Sequence, residues 1–249
     1  RAGPPPPPRP PPPPPPRAAP PPPPPGGGPR PARPAAMELS ETLPKDYEER
    51  MVSASVDCAG GKGDGDACHA VGEFFSVIRK DYAAARETYG KNCEARKHGA
   101  SCFALGRLLL GGRGGAADEA RGEQAFAAGC ERGHAPACHH LGVLAFKRKD
   151  DAAALAHLEK ACDGGDAASC YVLGGYFLRP GAAKQPAKAR EFLEIACDDG
   201  HAPACHNLAV MMKNGDVGVP RDAKLFDKYA ARTRELVAAA GAARGVRVA

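Results

Sequence analysis

Ten cysteines fall into five pairs along the chain, with histidines close beside several of them. Cys58 is followed by Cys68, Cys93 by Cys102, Cys130 by Cys138, Cys162 by Cys170 and Cys197 by Cys205. The stretch CERGHAPACHHLG at 130–142 returns almost intact as CDDGHAPACHNLA at 197–209. Metal ligation, thiol–disulfide exchange and structural crosslinking all use cysteine in this way. Structural zinc sites favour cysteines two to four residues apart, and the chain contains no CxxC for zinc or for a thioredoxin-like redox centre. Free buried thiols, and exchange by one exposed pair, stay open at this point.

Serine chemistry has less to offer. Ser101 and Ser169 each precede a cysteine where a helix would begin, so their hydroxyls read as caps. Neither belongs to a recognisable nucleophile–base motif, and no S-x-x-K occurs anywhere in the chain. The acidic residues are scattered, without paired carboxylates. No catalytic residue is expected.

The elements that carry the cysteines follow from the columns around them. The first cysteines of successive pairs lie 35, 37, 32 and 35 residues apart, a period typical of stacked helical hairpins. Four residues before the first cysteine stand Tyr89, Phe126, Leu158 and Leu193, and eight before it Ala85, Gly122, Ala154 and Ala189. This spacing is one face of a helix, bulky at one level and small at the next. Three residues after the second cysteine come Val71, Leu105, Leu141, Leu173 and Leu208, each followed by Gly or Ala, and seven after it Phe75, Leu109, Ala145, Phe177 and Met212. That is the buried stripe of a second helix. A glycine inside a helix costs about 1 kcal/mol relative to alanine, so its recurrence points to close packing. Each cysteine pair brackets the short loop from one hairpin to the next. Gly133, Gly164 and Gly200 suit a left-handed helix end there, Pro136 and Pro203 suit a helix start, and His134 and His201 read as local caps. Opening and closing helices are expected at about 44–57 and 221–240, the last with Thr233 where a cysteine would otherwise fall.

Composition separates the ends from the body. Residues 1–36 hold 21 of the 27 prolines, five arginines and no acid, and therefore account for the whole formal charge of +5. They predict a disordered, polyproline-like segment. Because the first methionine is Met37, this segment is expected to be upstream sequence; the alternative is a genuine tail for SH3-type partners. Residues 37–249 are electrically balanced, which argues against nucleic-acid or anionic-membrane binding. No apolar run reaches the roughly 20 residues needed to span a bilayer. From Met37, MELSETLPKDYEERM lacks a signal core and is acidic where a mitochondrial presequence would be basic.

The repeated A-C-x-x-L-G pattern, and GDVGVPRDAK as a turn between helices, resemble the Sel1-like repeat, a relative of the tetratricopeptide repeat. The C-x7-C punctuation narrows the resemblance to the cysteine-rich Hcp type, over about residues 44–240. The resemblance implies an all-α solenoid of about five helical hairpins, filling 37–249. It also implies a disulfide within each pair: Cys58–Cys68, Cys93–Cys102, Cys130–Cys138, Cys162–Cys170 and Cys197–Cys205. Cysteines at one helix end and in the next helix's first turn can lie within bonding reach. Each ring of about nine residues would be worth roughly 2–3 kcal/mol by the chain-entropy estimate. By the same analogy the residue after each second cysteine faces a concave groove. These residues are His69, Phe103, His139, Tyr171 and His206, a candidate surface for a partner peptide or, through histidine, for haem or copper. The plainer reading is that their rings cover the helix surface. No metal or other cofactor is expected.

Five cysteine pairs and an acidic start resemble, within this family, an animal member that assembles respiratory complexes. The resemblance therefore implies a non-enzymatic, monomeric assembly factor for complex IV, with complex I as a second client, in the mitochondrial intermembrane space. Its partners would be protein clients. The alternatives are a thiol–disulfide oxidoreductase or hydrolase of the Hcp type, and a cytosolic Sel1 adaptor with free thiols.

Overall fold

A computed structural model of the chain describes residues 46–181 and 184–243, all within one compact unit. The expectations for residues 1–36, and for most of the acidic start, lie outside the described residues. The described residues form eleven α-helices and no strand. In chain order they are α1 (Tyr47–Ala59), α2 (Gly65–Glu73), α3 (Tyr82–Ala95), α4 (Gly99–Leu110), α5 (Glu119–Glu131), α6 (Ala135–Lys147), α7 (Asp151–Asp163), α8 (Ala167–Phe177), α9 (Pro186–Asp198), α10 (Ala202–Asn214) and α11 (Ala223–Ala243). Five hairpins, α2–α3 to α10–α11, follow the opening helix α1. Helices pack mainly on their sequence neighbours, as in a solenoid.

Helix starts are chemically explicit. Asp81, Asp118, Asp150 and Asp222 each accept the backbone N–H three residues on, at the first turns of α3, α5, α7 and α11. Inside each hairpin the small and bulky columns meet. A Cβ built on Gly106, Gly142 or Gly174 would lie 2.6–2.7 Å from Phe126, Leu158 or Leu193, and one on Gly72 would come closer still to Tyr89. These glycines admit the large residue of the facing helix. The bulky residues and Ala85, Ala154 and Ala189 are buried.

Three local expectations are corrected. Gly164 is not left-handed; Gly165 takes that conformation, at φ +85°. Gly164 is needed for space instead, since a Cβ there would lie 2.9 Å from the Ala135 Cβ. In the first hairpin Phe74, not Phe75, is the fully buried ring. A π-turn over Phe74–Ile78 extends α2, with Arg79 N–H donating to the Phe74 carbonyl. Ser101 and Ser169 are not caps. They lie in the third helical position, completely buried, and are themselves capped by His98 and Asp166.

Candidate functional site

The joints between hairpins gather most of the chemically competent side chains. At four of the five joints the chain leaves a helix, makes a left-handed residue (Lys97, Gly133, Gly165 or Gly200) and places the N-cap of the next helix one residue later; at the first joint Gly61 is left-handed and the N-cap is Asp64. The N–H of the starting residue returns to the preceding helix: His134 to Gly129, Asp166 to Ala161 and His201 to Ala196, in the Schellman pattern. This brings the last turn of one helix beside the first turn of the next. The cysteines of each pair face each other there, with Cα atoms 4.6–5.6 Å apart, and all five pairs are bonded. All ten cysteines are buried. Arg132 Nη1 donates to Cys102 Sγ at 3.1 Å, and Arg96 holds the loop beside Cys58–Cys68 by donating to the Gly63 and Cys58 carbonyls.

The column of His69, Phe103, His139, Tyr171 and His206 reaches across these joints in two ways. Where the third residue of the next helix is serine, the column residue is histidine. His69 Nδ1 lies 3.0 Å from Ser101 Oγ, and His139 Nδ1 lies 2.8 Å from Ser169 Oγ. Where that residue is alanine (Ala137, Ala204), the column residue is a carbon ring packed at a tilt against the N-cap histidine. Phe103 meets His134 at 5.1 Å and Tyr171 meets His201 at 4.5 Å between centroids. His134 and His201 do occupy the cap position, but their side chains make no capping bond. His206 is exposed, and among the described residues no further joint follows it. The column thus couples neighbouring repeats along its described length.

Around Ser101 four side chains converge, with Asn92 Oδ1 left buried and without a partner among the described residues. Asn92 Nδ2 donates to Ser101 Oγ at 2.7 Å and to the Gly65 carbonyl. His98 Nδ1 accepts the Ser101 N–H, and its Nε2 lies 3.0 Å from Asp66 Oδ1. A consistent proton arrangement has Ser101 Oγ–H donating to His98 Nδ1 and His69 Nδ1–H donating to Ser101 Oγ. Serine, histidine and aspartate are therefore in line as in a nucleophilic triad. Yet the hydroxyl is buried and has every lone pair engaged, which suits a crosslink between α2, α3 and α4 better than attack on a substrate. Burial lowers the pKa of His69, His134, His140 and His201 below the usual 6.5, so these rings are neutral at neutral pH.

The first two column residues also open onto a cavity. His69 and Phe103 line a groove of about 620 Å³ across α2, α4 and the start of α6, together with Glu73, Val77, Tyr82, Tyr89, Arg107, Leu108, Arg113 and His134. His139, Tyr171 and His206 do not line it. Arg107 stacks over Phe103 and Arg113 over Tyr82, at 5.8 and 5.3 Å to the ring centroids. Sequence reasoning missed both arginines. Arg107 was recoverable, being one helical turn after Phe103, whereas Arg113 sits in a turn with no periodic signal. Among the described residues no group of three His, Cys, Asp or Glu side chains is arranged to hold a metal ion.

The hairpins, their cysteine-bonded joints and the Gly–bulky columns define an α-helical repeat protein, and the chain belongs to the Sel1 repeat family. The Sel1 repeat model matches residues 99–134, 125–166, 167–201 and 202–225. Among curated relatives, cytochrome c oxidase assembly factor 7A of Xenopus laevis is 32% identical over 205 residues, covering 77% of this chain and 88% of the frog protein. Human cytochrome c oxidase assembly factor 7 is 32% identical over 154 residues, 56% of this chain and 66% of the human one. Of solved structures, a Sel1 repeat protein from Oxalobacter formigenes aligns with a TM-score of 0.61 at 21% identity, over 69% of this chain and 73% of that one. The Escherichia coli protective antigen c5321 also gives 0.61, at 22% identity, over 71% of this chain but only 39% of the antigen. Both structural likenesses concern the fold alone.

Proposed function

We propose that this protein is a non-enzymatic assembly factor for respiratory complex IV, working as a disulfide-stapled binding scaffold in the mitochondrial intermembrane space. The observation that carries this reading is the likeness to the frog assembly factor over 77% of the chain. The bonded cysteine pair at every joint supports an oxidising compartment, because disulfides do not persist in a reducing cytosol. Binding, not catalysis, is the mode that the joints favour: their serines and sulfurs are buried, and the open surface is a groove. Protein clients of complex IV assembly, and complex I as a second client, are the partners this role requires. The chain acts as a monomer, without haem or copper as a resident group.

The test is complementation. Cells lacking the orthologous assembly factor should regain cytochrome c oxidase activity on expressing this chain, and the protein should resist protease in intact mitochondria but not after outer-membrane rupture. Alkylation of the native protein should leave all ten cysteines unmodified until reduction. Ten reactive thiols, or a cytosolic protein that restores nothing, would overturn the reading. A pull-down comparing wild type with a His69→Ala/His139→Ala/His206→Ala variant asks whether the column itself touches the client. Equal recovery would make it a coupling element only.

A further inference from the structure

The groove across α2, α4 and α6 has an unusual charge balance. Arg107 and Arg113 stand on its wall, and Glu73 is the single acidic residue in its lining. Glu73 lies on the same helix as His69, one turn on, and its side chain is largely exposed to solvent. Arg50, Arg79, Arg148, Arg190 and Arg232 each pair with a carboxylate. Neither Arg107 nor Arg113 has such a partner among the described residues. Each instead lies over an aromatic face, Phe103 or Tyr82, which holds a guanidinium in place while leaving its N–H groups free. The two groove histidines with lowered pKa, His69 and His134, add no positive charge at neutral pH. Between the arginines and rings lie Leu108 and Val77, the latter 54% exposed despite being apolar.

We propose that this groove binds an acidic peptide segment of a partner protein, with carboxylates on Arg107 and Arg113 and an apolar side chain against Phe103, Leu108 and Val77. The inference rests on the scaffold reading and names the chemistry of its ligand. Guanidinium groups pair bidentately with carboxylates, and stacking beforehand reduces the ordering cost of that pairing. A volume of about 620 Å³ accommodates a few side chains of an extended peptide. The proline-rich segment at 1–36 is a poor occupant because it carries five arginines and no acid.

The experiment uses the full chain with its disulfides intact and a fluorescein-labelled dodecapeptide, the sequence DELF repeated three times. Fluorescence anisotropy should show saturable binding that weakens with salt. The NQLF analogue should bind at least about tenfold more weakly, as should the R107E/R113E variant toward the acidic peptide. That variant should gain affinity for the KKLF analogue, and the milder R107Q/R113Q variant should lose affinity for the acidic peptide without that gain. Both arginines are exposed, so melting temperatures should be unchanged. Failure of the wild type to bind the acidic peptide, equal binding of NQLF, or equal displacement by a single-stranded oligonucleotide would overturn the inference. Those outcomes leave the complementation result standing, so the groove chemistry and the scaffold role fail separately.

Discussion

Two adjacent glycines in α8 carry opposite expectations. A Cβ on Gly174 would lie 2.6 Å from Leu193 Cγ, whereas one on Gly175 would meet nothing within 4 Å. Gly174→Ala gains helix propensity but forces the α8–α9 hairpin apart, so it should destabilise by about 1–3 kcal/mol. Gly175→Ala keeps the propensity gain alone and should stabilise by about 0.5–1 kcal/mol. Urea unfolding of the two variants checks this; a shared sign would refute the close-packing role of the recurring glycine. The Ser101 network makes a second residue-scale case. Ser101→Ala leaves the buried Asn92 amide without its 2.7 Å partner and should cost about 1–3 kcal/mol by the same measurement. The exposed His206 has no such role, and His206→Ala should leave stability unchanged.

At the scale of the element, the first disulfide ties α1 to the first hairpin and each of the other four ties one hairpin to the next, across separations of eight to ten residues. Removing the Cys162–Cys170 bond as a double serine variant should cost about 2–3 kcal/mol by loop-closure entropy. Because helices pack mainly on their neighbours, the loss should remain local. Hydrogen exchange should accelerate first in α7 and α8 and least in α2 and α3. Uniform acceleration along the chain would mean that the repeats unfold as one unit.

The whole molecule registers acidity through its joints. His69, His134, His140 and His201 all have pKa values lowered chiefly by burial, with Glu73 opposing the effect at His69 and the Pro136 carbonyl at His140. In the unfolded chain each returns to about 6.5. A group with a depressed folded pKa contributes stability that is complete above its unfolded value and is lost as pH falls through the folded one. The melting temperature should therefore be level from pH 8 to 7 and fall between pH 6.5 and 5, before the carboxylates titrate. Replacing His140 by Gln should flatten part of that fall. Calorimetry across this range checks it, and a level profile down to pH 5 would contradict the coupling of buried rings to stability. The C-terminal end depends on a different device. α11 covers α10, and Tyr229, its pKa pushed up to about 12 by burial and then by Glu194, donates a hydrogen bond to Glu194 Oε1. Deleting the residues after Asp222 uncovers Leu208 and Met212 and should leave the protein insoluble or molten, as loss of a capping repeat does.

The repeat period, the cysteine pairing and the small–bulky columns were legible in the sequence because they depend on local spacing. A helix face is written at i, i+4 and i+8, and a joint between consecutive helices brings together residues eight to ten apart. The sequence by itself therefore determined the number of hairpins, most of their packing faces and the positions of the cysteine pairs, while their bonding was implied by the family resemblance. It also marked the column after each second cysteine, without saying what that column does. Only the tertiary structure decided that His69 and His139 meet serines from the next repeat, some thirty residues on, and that Phe103 and Tyr171 meet histidines instead. The paired choice of His with Ser, and of a carbon ring with Ala, is present in the sequence but has meaning only once two repeats are stacked. The groove arginines belong to the same category. Arg107 follows the helical period, but Arg113 reaches the groove from a turn, and the aromatic faces beneath them come from different helices. Spacing along a helix predicts one face of it, whereas stacking of repeats decides which residues from separate hairpins share a wall.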